Sequence, residues 1–156
     1  MSDTPETPDA NEPRPALAKV TRILEAALER NAELPLVMDI REVTSFADSF
    51  VLLSGRSDRQ VRAIAESIVH ALRAGDDAPV GIEGMDEGRW VLIDCNDVIV
   101  HVFEPEMRDL YALERLWSDA PVVDLLALGL DPAALEAAGT PASPGQAQAP
   151  ATETVR

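Results

Sequence analysis

The sequence predicts an α/β domain in which helices pack on a mixed five-stranded sheet. Apolar residues recur at three-four spacing near 16–31, 57–75 and 106–117, and the short apolar runs between them have the length of strands. The order helix, two strands, helix, three strands, helix makes the second helix the natural crossover within one sheet. A chain of 156 residues, 46% hydrophobic, has room for one such domain with a packed core.

The first helix runs from Ala16 to Asn31, where Leu17, Val20, Ile23, Leu24, Ala27 and Leu28 make one apolar stripe and Pro15 suits the first turn. Leu36–Ile40 and Phe50–Ser54 are short apolar runs flanking the polar stretch Thr44–Ser49, so they read as two buried strands. Ser57-Asp58-Arg59-Gln60 has the form of a capping box, each end's side chain reaching the other's amide. Val61, Ile64, Ala65, Ile68 and Leu72 then continue a second helix to Gly75.

A short strand at Val80–Glu83 precedes two longer ones, Arg89–Asp94 and Val98–Glu104, joined by Asn96-Asp97, residues that tolerate the left-handed angles of a tight hairpin. Both long strands are apolar on both faces, as interior strands are, except at Trp90, Asp94 and His101. Pro105 stops the last strand. Leu110, Leu113, Leu116 and Trp117 mark a third helix from Glu106 to Trp117, and Asp131-Pro132 with Gly139 cap, start and stop a short helix over 132–138. The expected organisation is a disordered tail over 1–15, a folded body over 16–125, and a C-terminal extension over 126–156 whose end is again disordered.

Charge and composition exclude several functions. The net charge is -15, and acids outnumber bases within the body as well, a surface that repels phosphate backbones and favours basic protein partners. No basic block interleaved with aromatics offers direct sequence-specific nucleic-acid binding. The apolar runs are far shorter than the roughly 20 residues that cross a bilayer, and the acidic, proline-rich start is unlike a secretory signal. A cytoplasmic address without membrane attachment is expected. The single Cys95 has no disulfide partner and reads as a buried or hairpin residue.

Candidate chemistry is sparse. Gly55-Arg56-Ser57 joins a strand to a helix start, but lacks a Gly-x-Gly-x-x-Gly run or a Walker lysine, so it reads as an ordinary capped start and not an anion site. His70 falls on the polar half of its helix. His101, between apolar neighbours, is expected as a structural histidine bonded to a backbone group or carboxylate. Asp39, Asp94 and Asp97 lie on different strands without the Gly-Ser and Asp-x-Asp pattern that places two metals for nucleotidyl transfer, so no catalysis, cofactor or metal is expected.

What remains is a surface. Glycines at 81, 84 and 88 bend the chain before Trp90, Leu92 and Asp94 take one side of a strand. Trp90 is either core or a binding anchor; the charges of Glu83, Arg89 and Asp94 around it favour the anchor. Tyr111 joins an apolar ring to a hydroxyl that needs a partner, and shares that patch if the third helix lies beside the sheet.

The segments Asp39-Ile-Arg-Glu-Val-Thr-Ser-Phe-Ala-Asp48, Ser54-Gly-Arg-Ser-Asp-Arg-Gln60, Gly81-Ile-Glu-Gly84, Gly88-Arg-Trp-Val-Leu-Ile-Asp94, Asp97-Val-Ile-Val-His-Val-Phe103 and Leu110-Tyr-Ala-Leu-Glu-Arg-Leu-Trp117 occur together, in order, over most of residues 16–125. In this the chain resembles the ribosomal silencing factor family, also called Iojap-like. The resemblance implies a nucleotidyltransferase-like fold without an active site. It further implies a translational repressor that binds the large ribosomal subunit through its ribosomal protein fourteen, a basic protein at the subunit interface, and blocks joining of the small subunit when nutrients are short. Carried onto this chain, it implies Trp90 and Tyr111 as aromatic anchors and Glu83, Asp94 and Glu114 as acidic partners, with structural roles for Asp48, Ser57, Gln60 and His101. Cys95-Asn96 stands where many relatives carry Gly in the hairpin, and Glu104 where a histidine often follows the phenylalanine; neither touches the anchors. A homodimer of the free protein is also implied. The competing readings are a nucleotide-binding or nucleotidyltransferase-like enzyme and a self-associating scaffold.

Overall fold

The computed structural model describes residues 15–111 and 120–141. Helix α1 (Pro15–Glu29) buries Val20, Ile23, Leu24 and Ala27, the stripe that the three-four spacing predicts. Strands β1 (Glu33–Asp39) and β2 (Ser49–Ser54) follow, then helix α2 (Asp58–Ala74), strands β3 (Gly81–Glu83), β4 (Trp90–Asp94) and β5 (Val98–Phe103), and helix α3 (Pro105–Tyr111). A 3-10 turn at Leu126–Leu128 and helix α4 (Pro132–Ala138) complete the described elements. The expected continuation of the third helix through Leu113, Leu116 and Trp117 lies outside the described residues, as do the two tails.

The five strands form one mixed sheet in the order β1-β2-β5-β4-β3. The β2–β5 pair is parallel and the other three pairs are antiparallel. A parallel pair cannot be joined by a tight turn, and α2 begins the connection that carries the chain from β2 back to β5.

Period-two alternation divides the sheet's side chains between two cores. Val37, Val51, Leu53, Val91, Ile93, Val98, Val100 and Val102 point toward α1 and α2, where they meet Ile23, Leu24, Ile64, Ile68 and Leu72. Leu36, Met38, Phe50, Leu52 and Phe103 point to the opposite face and form a smaller core with Ile40, Ala47 and Ala120, against which Trp90, Ile99 and Met107 pack. One face is thus roofed by two long helices, while the other carries Phe50, Trp90 and Phe103.

Two local features depart from the sequence expectation. The capping box is half shifted: Ser57 Oγ accepts from the Gln60 amide at 3.1 Å, but Gln60 Oε1 accepts from the Arg56 amide at 2.8 Å. Gln60 Nε2 in turn donates to the Arg30 and Asn31 carbonyls, so one side chain ties the start of α2 to the end of α1. Strand β1 starts at Glu33, ahead of the expected Leu36, with an irregularity between Glu33 and Leu36 at which Leu34 takes a φ of 50°. Arg108 explains why this is tolerated: it is buried, and its Nη1 donates at 2.8 Å to the Leu34 carbonyl and at 2.8 Å to Ser54 Oγ, pinning α3 to the sheet.

Residues 121–138 pack against the rest of the described chain. The Asp39 amide donates to the Pro121 carbonyl at 2.8 Å and the Val123 amide to the Val37 carbonyl at 2.8 Å, so this segment covers the outer edge of β1. Leu130 is buried, and Leu125, Leu128 and Leu135 pack onto the main core. Helix α4 occupies the predicted 132–138, with Asp131 Oδ1 accepting from the Ala133 amide as its cap.

Candidate functional site

The register of the sheet brings three of the five expected site residues to one face. Trp90 lies opposite Phe103, Leu92 opposite His101, and Asp94 opposite Ile99, while on the other side of β4 Glu83 lies opposite Leu92 and Gly81 opposite Asp94. Glu83, Trp90, Leu92 and Asp94 therefore share the aromatic face of the sheet, near its β3 edge. Glu83 is exposed, and Trp90, Leu92 and Asp94 are half-buried. Tyr111 is the last residue of α3, and its side chain lies outside what is described, as does all of Glu114.

The backbone beneath Trp90 is built tightly. Gly84 has a φ of 87°, and a Cβ added there would stand 2.1 Å from the Trp90 carbonyl oxygen. Gly88 has a φ of 72°, and a Cβ added there would stand 2.6 Å from Arg62 Nη1 and 2.8 Å from the Asp58 carbonyl oxygen at the start of α2. Gly81, expected as a third bend, is instead a regular member of β3. Arg89 turns toward α3, its Nε donating to Glu104 Oε1 at 3.1 Å, which leaves Glu83 and Asp94 as the carboxylates on the Trp90 side. Asp94 Oδ1 also accepts from the Asn96 amide at 2.9 Å, bracing the hairpin in which Asn96 takes a φ of 76°.

Around Trp90 the rings form a continuous cluster. The indole stacks on Phe103 with centroids 5.2 Å apart, His101 stacks on Phe103 at 5.7 Å, and Phe50 meets His101 edge-on at 5.3 Å. Phe46, 57% exposed, extends the cluster from Phe50 at 6.2 Å. His101 corrects the expectation of a bond to a backbone group or carboxylate: its Nδ1 accepts from Trp90 Nε1 at 3.0 Å. Burial pushes the imidazole pKa down to about 4. Sequence reasoning missed this pair and Phe46, although the hairpin turn at Asn96-Asp97 sets the register that places Trp90 diagonally from His101.

The other candidate groups are separately engaged. Lys19 Nζ donates to Asp97 Oδ1 at 2.7 Å and to the Cys95 carbonyl at 3.1 Å. Asp39 holds Arg41 through both carboxylate oxygens, at 2.9 and 2.7 Å. In the Gly55–Ser57 turn the Gly55 amide donates to the Phe103 carbonyl and the Arg56 amide to Gln60. Cys95 is buried, and desolvation pushes its thiol up to about 11, far from a reactive thiolate. Among the described residues no three His, Cys, Asp or Glu side chains converge as a metal site, and no helix is long and apolar enough to cross a membrane. A cavity of about 550 Å³ lies at the other edge of the sheet, between β1, residues 122–126 and α4, lined mainly by apolar side chains.

A family model described as ribosomal silencing factor during starvation matches residues 13–153. The chain belongs to the ribosomal silencing factor family. It is 42% identical over 107 residues to the ribosomal silencing factor RsfS of Bacillus subtilis, covering 68% of this chain and 91% of that one. It is 32% identical over 102 residues to a mouse protein named mitochondrial assembly of ribosomal large subunit protein 1, covering 64% of this chain and 45% of that one. Among solved structures, that of a Chromobacterium violaceum protein superposes with a TM-score of 0.63 at 35% identity, over 64% of this chain and 83% of that one. Its fold is therefore that of the ribosomal silencing factors, and its role is in ribosome silencing and the regulation of translation.

Proposed function

We propose that this ribosomal silencing factor represses translation by docking its aromatic sheet face on the large ribosomal subunit, through ribosomal protein fourteen, and so obstructs association with the small subunit. The observation that carries this is the juxtaposition on one sheet face of a half-buried Trp90 with the carboxylates of Glu83 and Asp94. An aromatic anchor ringed by polar groups is the usual centre of a protein interface, and acids at its rim suit a basic partner. The net charge of -15 favours the same kind of partner and adds long-range attraction. Tyr111 and Glu114 complete the proposed contact face as anchor and acid.

The mechanism is steric and needs no covalent step. A body of this size over an intersubunit contact prevents that contact from closing. The mixed order with its parallel β2–β5 pair suits a nucleotidyltransferase-like fold that has lost its active site, and the protein acts in the cytoplasm as a regulatory factor and not an enzyme. The free protein pairs as a homodimer through the same aromatic patch.

Co-sedimentation with isolated large subunits, isolated small subunits and assembled ribosomes tests the docking. Binding confined to free large subunits, and weakened about tenfold or more by Trp90→Ala, is the expected result. Binding to none of the three, or saturable magnesium-dependent binding of ATP or CTP in its place, overturns it.

A further inference from the structure

His101 is a costly choice for a core position. Its imidazole is 5% exposed and sits in the aromatic cluster of the smaller core. The Trp90 indole nitrogen can only donate, so Nδ1 is the bare nitrogen of the ring and Nε2 carries the proton. Nε2 is buried and meets no hydrogen-bond partner among the described residues. A buried donor left unpaired destabilises the fold, and a Phe or Leu at 101 would not carry that penalty. What the histidine supplies in return is one acceptor, aimed at one indole.

The rest of the local geometry serves that acceptor. Phe103 lies almost parallel to the imidazole, at 7°, and Phe50 meets it edge-on at 84°, so two rings pack against it with different geometries. The indole, across the strand pair from Phe103 and stacked on it at 29°, then donates to His101 Nδ1 the hydrogen bond that selects its edge. Gly84 packs against the Trp90 carbonyl from behind. Backbone, stack and hydrogen bond together constrain the half-buried tryptophan before any partner arrives.

We propose that His101 is a positioning residue for docking: through its Nδ1 it preorganises Trp90 in the orientation that the basic ribosomal partner binds. The proposal rests on the reading of this face as the docking surface. It makes the contact depend on a residue that the partner never touches. Freezing a large side chain in advance spares its ordering at the moment of binding, so loss of the acceptor weakens affinity about threefold to tenfold.

Affinity for isolated large ribosomal subunits and the NMR signals of the two indole N–H groups, read on the full-length protein, test it together. The Trp90 signal is the one lost in Trp90→Phe. His101→Phe keeps a planar ring for the stacking but is larger and has no acceptor; His101→Asn restores an acceptor oxygen near the Nδ1 position. His101→Phe is expected to move the Trp90 indole signal, speed its exchange with solvent and weaken binding by that threefold to tenfold, and His101→Asn to recover both. In a Trp90→Phe background, where no indole proton remains, His101→Phe is expected to cost nothing further. If His101→Phe overpacks the core and fails to fold, His101→Leu replaces it with the same expectations. Binding of the acceptor-free variant within about twofold of the native protein, while Trp90→Ala weakens it about tenfold, overturns the positioning role and leaves the docking face standing. Native-like binding by Trp90→Ala overturns both.

Discussion

At the scale of single residues, the same imidazole that holds Trp90 makes stability depend on pH. Burial keeps His101 neutral in the fold, with a pKa of about 4 against an ordinary value of 6.5. Between those values the unfolded chain takes up a proton that the folded chain refuses. Stability is therefore complete above about pH 6.5 and falls as pH drops toward 4, by up to about 3 kcal/mol. Urea denaturation at pH 7 and pH 4.5 measures this, and His101→Phe is expected to flatten the dependence. Gly84 offers a second residue-scale test. A Cβ there meets the Trp90 carbonyl at 2.1 Å on a backbone with positive φ, so Gly84→Ala is expected to destabilise by about 2 kcal/mol or to displace Trp90. A thermal melt reports the first outcome and large-subunit affinity the second.

At the scale of elements, much was legible because periodicity and turn chemistry act locally. The three-four stripe of α1, the cap of α2 and the limits of α4 at Asp131-Pro132 and Gly139 come from neighbours in sequence, and they stand where the residues place them. Asn96-Asp97 makes a two-residue turn, so Cys95 meets Val98 and, down the ladder, Trp90 meets Phe103. The candidate face was legible to the same extent: Glu83, Trp90 and Asp94 share it because strand parity and register put them there. Contacts between elements remote in sequence were not legible. No local pattern tells that Gln60 reaches the end of α1, that Arg108 reaches the Leu34 carbonyl, or that His101 accepts from Trp90. Arg108 is the element-scale prediction. Its side chain is the buried polar tie between α3 and the sheet, so Arg108→Met is expected to cost about 2 kcal/mol and to raise hydrogen exchange in residues 105–111 before the rest of the body. Exchange rising equally throughout the body would contradict that local role.

At the scale of the whole molecule, two long helices roof one sheet face and the smaller aromatic core lies on the other, while the chain as a whole carries a charge of -15. Steering by exposed charges is screened over roughly 8 Å at physiological ionic strength, so raising salt is expected to slow association with large subunits about tenfold while changing dissociation little. Stopped-flow kinetics separates the two. The most direct test of the central claim is subunit joining itself: large subunits preincubated with the protein are mixed with small subunits, and assembly is followed by light scattering. The expected result is a joining amplitude that falls in proportion to occupied large subunits and returns with Trp90→Ala at the same concentration. Full joining on large subunits saturated with the native protein would contradict the proposed mechanism.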